Sequence, residues 1–82
     1  MEKIILDGNI LGDIEKAHEY LKEKLRLPNY YGNNLDALYD CLTEMEEIDI
    51  QIVRGETTAY LEKLIMVFNM AERNGEINVE VI

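Results

Sequence analysis

The stretch LDALYDCLTEMEEIDIQIV, Leu35 to Val53, decides the fold because its hydrophobic period changes part-way along. Up to Met45 the apolar residues Leu35, Leu38, Leu42 and Met45 recur at intervals of three and four, which places them on one stripe of a helix. From Ile48 the segment IDIQIV alternates at first and ends in β-branched residues, which predicts a strand over Ile48 to Val53. A helix succeeded directly by a strand points to an α/β arrangement, and the flanking sequence extends it in both directions.

Upstream, Asn34 is a strong N-cap, so the helix begins after it, and Gly32 in the preceding loop permits a positive φ. Before that loop, Ile14, Ala17, His18, Leu21 and Leu25 repeat at helical spacing, with Asp13 as the predicted N-cap and Pro28 as the stop. The opposite face of this run mixes Glu15, Glu19 and Glu23 with Lys16, Lys22 and Lys24, the composition of a solvated surface. KIIL, Lys3 to Leu6, is a short apolar run closed by Asp7-Gly8 and predicts a buried strand ending in a turn. Downstream, a helix is expected from about Thr58 to Arg73, with Leu61, Leu64, Ile65, Phe68 and Ala71 inward and Asn74-Gly75 as its stop. INVEVI then places Ile77, Val79 and Val81 on one face of a last strand. The order β, α, α, β, α, β, without repeats or an internal linker, makes residues 1–82 one α/β domain. Its expected core is a three-stranded parallel sheet joined by right-handed crossovers, with three helices, or four, packed against it.

Charge narrows the partners. The chain carries a net charge of −9, which opposes binding to nucleic acid or to an anionic membrane surface and favours a cationic partner. Leu27 to Ile50 holds six acids and neither Lys nor Arg. One cysteine excludes an internal disulfide, and one cysteine with one histidine cannot build a Cys/His zinc site, a usage that suits a reducing cytoplasm. The apolar run near the N-terminus is three residues long before Asp7, too short to predict a signal peptide or a membrane span.

Asp36, Asp40 and Glu44 stand at i, i+4 and i+8, so they share one exposed face of the helix after Asn34. Like charges at that spacing cost roughly 0.2 to 0.5 kcal/mol per pair in an isolated helix. Asp36 is compensated by the helix dipole at the N-terminal end, but Glu44, with Glu46 and Glu47 behind it, lies at the wrong end. Tyr39 and Thr43 lie on the same face, and the preceding loop supplies Tyr30 and Tyr31. Tyr31 reads as core, whereas Tyr30 fits a partly buried position and an interface equally well. An enzyme would have to use these carboxylates as acid and base or as metal ligands. Acids along one straight helix do not wrap an ion, and the chain has neither a glycine-rich phosphate loop nor a calcium-loop motif. His18 falls on an apolar stripe and Cys41 near the buried side of its helix, where both read as core residues. No catalytic residue, metal ligand or cofactor site is therefore expected, and the chain does not read as an enzyme.

Taken as a whole, LPNYYGNNLDALYDCLT, Leu27 to Thr43, resembles the barstar family of intracellular inhibitors of barnase-type ribonucleases. Weaker likeness runs through Asp7-Gly8, His18, Val67-Phe68 and the closing strand. The resemblance implies a barstar-like fold and a cytoplasmic immunity protein, monomeric when free, that blocks the active site of a basic, barnase-like ribonuclease. Carried over by position, Asp40 would enter the phosphate-binding pocket, Asp36 would engage a neighbouring arginine, and Tyr30 would pack on the catalytic histidine. Gly32, Asn34, Leu35, Tyr39 and Thr43 would complete the contact surface, with Met45 and Met70 also on it. Tyr39 and Met45 stand where the best-known member has tryptophans, and Met70 where it has a glutamate on the last helix. Glu72 is two residues further on and, at about 100° per residue, faces another side. The segment before the last helix is shorter than the family's, so the small extra helix found there is expected to be missing or merged. The alternative is an acidic interaction domain that keeps the fold and binds a basic protein other than a nuclease.

Overall fold

The computed structural model describes residues 2–82. Its elements run β1 (Lys3–Asp7), α1 (Gly8–Leu11), α2 (Ala17–Leu25), α3 (Leu35–Glu44), β2 (Ile48–Val53), α4 (Ala59–Asn74) and β3 (Ile77–Val81). The three strands form one parallel sheet in the order β1, β2, β3, with Ile4 opposite Ile50 and Ile50 opposite Val79. The period-two pattern of β2 is the reason for its central place: Ile48, Ile50 and Ile52 are all buried, while Asp49, Gln51 and Val53 turn the other way. That second face is open, and on it the Gln51 side-chain amide donates to Glu80 at 2.7 Å. Parallel sheets are ordinarily covered on both faces, so β1 departs from the buried strand that KIIL predicts. Leu6 alone of the strand is fully buried and Ile5 is 54% exposed, because β1 is an edge strand with its outer face uncovered.

The Asp7-Gly8 pair starts a helix instead of making a simple turn. Asp7 Oδ1 accepts the Asn9 N–H at 2.9 Å and caps the single turn of α1. A Cβ on Gly8 would sit 2.6 Å from the carbonyl oxygen of Val53, so only glycine lets this turn close against the end of β2. The fourth helix is thus here, while Arg54 to Thr58, between β2 and α4, forms no helix.

The second helix begins later than the apolar spacing predicts. Asp13 Oδ1 accepts the Glu15 N–H at 3.0 Å and its carbonyl accepts from Lys16 and Ala17, so residues 13 to 16 make a turn that Asp13 closes and α2 starts at Ala17. Ala17, His18, Leu21 and Leu25 are buried as expected, but Ile14 is thrown outward. Arg26, at φ 54°, takes the left-handed position that ends the helix two residues before Pro28. The Thr58 hydroxyl caps α4 by accepting from the Leu61 N–H at 3.1 Å, and Leu61, Leu64, Ile65, Phe68 and Ala71 all reach the core. α4 packs against α3, β3 and α1, which makes it the centre of the helical layer.

Candidate functional site

The acidic surface is built on α3. Asn34 is extended, at φ −140° and ψ 169°; its Oδ1 accepts the Ala37 N–H at 2.8 Å and its amide donates to the Gly32 carbonyl at 3.1 Å. These two bonds tie the loop to the first turn of the helix, so loop and helix form one rigid unit. The left-handed residue is Asn33, at φ 53°, and not Gly32; no glycine of the described residues has a positive φ. Asparagine tolerates that conformation, and Gly32 matters for space, since a Cβ on it would stand 3.1 Å from the Asn34 amide nitrogen.

Asp36, Asp40 and Glu44 are exposed along the outer face of α3. Among the described residues the one salt bridge is Arg54 to Glu62, 3.6 Å apart and solvent-exposed, so the row has no cationic partner among them. No basic residue occupies the last turn of α3 to offset Glu44. The Cys41 thiol registers the resulting field. Its pKa is pushed up by burial first and then by Glu44 and Asp40.

The other candidate contact residues surround the row. Tyr30 is 83% exposed, and it lines with Gly32, Asp40 and Glu44 a shallow cleft of about 210 Å³ between the loop and α3. Leu35, Tyr39, Thr43 and Met45 are half-buried along α3, and the Thr43 hydroxyl donates to the Asp40 carbonyl at 3.0 Å. Met70 is 42% exposed on α4, outside the cleft. No group of three or more His, Cys, Asp or Glu among the described residues is placed to hold a metal ion, and no helix there is long and apolar enough to cross a membrane.

Sequence reasoning missed the brace beneath this surface. His18 is 7% exposed; its Nδ1 lies 2.5 Å from the Tyr31 hydroxyl, and its Nε2 is hydrogen-bonded to the hydroxyl of Tyr60. The imidazole therefore links α2, the loop before α3, and the first turn of α4. A neutral ring carries one N–H, so one tyrosine hydroxyl accepts from it and the other donates to it. Tyr31 was legible as core, but nothing in the spacing pairs His18 with a tyrosine 42 positions away.

The brace carries a pH dependence. Burial holds the His18 pKa below its ordinary 6.5, and burial, with Tyr60 and Cys41, pushes the Tyr31 hydroxyl up. The unfolded chain then binds a proton at His18 more readily than the folded one. Stability from this group is complete above the unfolded value near 6.5 and is lost as pH falls through the lower folded value. Melting curves taken from about pH 7.5 down to about pH 5 should fall more steeply for the wild type than for His18→Gln, whose side chain does not titrate. Parallel curves for the two proteins would remove His18 as the source.

A three-stranded parallel sheet together with a capped helix of exposed carboxylates packed on α4 defines a class: a small α/β protein whose distinctive surface is acidic and displayed on a helix. The family model described as Barstar (barnase inhibitor) matches residues 1–81, and the chain belongs to the barstar family. That is a family of inhibitor proteins and not of enzymes. Over 53 residues the chain is 51% identical to the Bacillus subtilis (strain 168) protein named "Putative ribonuclease inhibitor YrdF", a match that covers 65% of this chain and 58% of that protein.

Proposed function

We propose that this chain inhibits a basic, barnase-like ribonuclease and that α3, with the loop from Tyr30 to Asn34, blocks the enzyme's active site. The observation that carries this reading is the row Asp36, Asp40 and Glu44, exposed and unpaired on a helix whose loop and cap are fixed by Asn34. A ribonuclease site is cationic because it must hold RNA phosphates, so the row accelerates encounter by long-range attraction. Once seated, Asp40 occupies the place of a substrate phosphate among the enzyme's basic groups, and Asp36 pairs with a neighbouring arginine. Charge-assisted bonds between guanidinium and carboxylate in a dry pocket are short and directional, which slows dissociation. Tyr30, fully available on the loop, supplies an aromatic face for the catalytic histidine. The rigid loop and helix lose little freedom on docking, which favours affinity. The protein acts in the cytoplasm as an immunity protein and is monomeric when free.

An RNA-cleavage assay with a barnase-type ribonuclease tests the reading. One-to-one inhibition is expected, with an association rate that drops steeply as salt rises from about 0.05 M to about 0.5 M, because screening shortens the reach of the carboxylates. Absent or micromolar binding to every such enzyme, or a rate indifferent to salt, would sink it.

A further inference from the structure

The outward position of Ile14 creates a surface that the inhibitory reading has not used. The turn closed by Asp13 leaves this isoleucine 64% exposed beside the N-terminal end of α3. With half-buried Leu35 and Tyr60 it lines a groove of about 530 Å³, and Asn33, Asn34 and Asp36 line the same groove where it meets α3. The Tyr60 hydroxyl is held from below by His18, so this wall is fixed before anything docks.

Two observations identify the occupant. Asn34, Leu35 and Asp36 belong both to this groove and to the surface proposed to enter the ribonuclease, so a protein seated on Asp36 covers the groove as well. Asp36 has no ion-pair partner among the described residues, so its carboxylate is free to pair with a cation of the arriving protein. We propose that the groove receives an aliphatic or aromatic side chain of the same basic ribonuclease, beside an arginine or lysine that pairs with Asp36, and that Ile14 belongs to the inhibitory surface. This rests on the reading of α3 as the helix that enters the enzyme. An arginine suits the site well, since its alkyl stem can lie on Ile14 while its head meets the carboxylate.

The test is a kinetic comparison of Ile14→Ser, Ile14→Ala and Asp40→Ala with the wild type, using barnase as the probe. Both Ile14 variants should dissociate faster by roughly 10- to 100-fold, the scale of one apolar side chain returned to water. Their association rates and salt dependence should not move, because no charge has changed. Ile5→Ser, which alters an exposed isoleucine on the open sheet face, should dissociate like the wild type. If Asp40→Ala weakens binding while both Ile14 variants match the wild type, the groove inference falls and the inhibitory reading stands. If Asp40→Ala also binds as the wild type does, or if the wild type does not bind, both fall together. A wild-type dimer in sedimentation that Ile14→Ser dissolves would make the groove a contact between copies and overturn the proposal.

Discussion

Replacing Asp40 by alanine should abolish most of the inhibition while leaving the free protein as stable as before or slightly more so. The two effects have opposite signs because the carboxylate has opposite roles in the two states. In the free domain Asp40 is exposed, without a cationic partner among the described residues, and flanked at i−4 and i+4 by Asp36 and Glu44. Removing it relieves two repulsions of roughly 0.2 to 0.5 kcal/mol each, and alanine is the better helix former. In the proposed complex the same group lies among buried cations, and taking one partner out of such a cluster strands the others. That costs roughly 3 to 5 kcal/mol, or about a hundred- to ten-thousand-fold in dissociation constant. Asp40→Asn keeps the shape and loses the charge, so it should suffer most of the same loss. Calorimetric or kinetic titration against barnase, beside a melting curve, reads both quantities. A variant that melts no lower than the wild type and still inhibits equally well would remove Asp40 from the contact.

The same residue shows how much of the site was written in the sequence. Spacing alone puts Asp36, Asp40 and Glu44 on one face, and the structure leaves that face exposed and unpaired. Spacing does not single out one carboxylate of the three; the resemblance to the barstar family does that for Asp40. The loop was less legible. Gly32 carries the usual mark of a left-handed residue, yet Asn33 adopts it, as Asn34 turns back to bond the Gly32 carbonyl, a local side-chain contact that composition and spacing do not reveal. The brace on His18 was half legible: its burial follows from the α2 stripe, but its partners come from a loop and from α4.

For the fold, the segments that carry their own period were readable and those set by distant contacts were not. β2 runs from Ile48 to Val53 as its pattern predicts, and α4 follows its cap and its stop to within a residue or two. KIIL has no alternation, so its sequence could not show that one side of β1 faces solvent. α1 is capped locally by Asp7, but its fit depends on the close approach of Gly8 to Val53, two residues far apart in the chain, which no local pattern records. Ile14 fits the apolar spacing and still lies outside, because the side chain of Asp13 closes a turn that competes with another turn of helix. Only at Ile14 did a hydrogen bond override a periodicity that was present; at β1 and α1 the deciding contacts lie outside the segment.

Phe68→Ala should be the most damaging single truncation for the fold. Phe68 has no exposed surface and sits in the middle of α4, the helix that packs against α3, β3 and α1, so no flexible edge is available to fill the space it leaves. Losing a buried phenylalanine side chain costs roughly 3 to 5 kcal/mol, combining lost transfer free energy with an unfilled cavity. A domain of this length has a total stability of about 4 to 12 kcal/mol, so the variant would keep only a fraction of it. The melting temperature should fall by roughly 4 to 8 °C for each kcal/mol, which takes the variant to the edge of folding at growth temperature. Met66, two residues earlier on the same helix, is 62% exposed, and Met66→Ala should change stability by no more than about 0.5 kcal/mol. The contrast also protects the functional experiments: any loss of inhibition in Phe68→Ala should scale with its unfolded fraction, whereas that of Asp40→Ala should persist in a fully folded protein. Comparable melting temperatures for Phe68→Ala and Met66→Ala would mean that the core is not centred on α4.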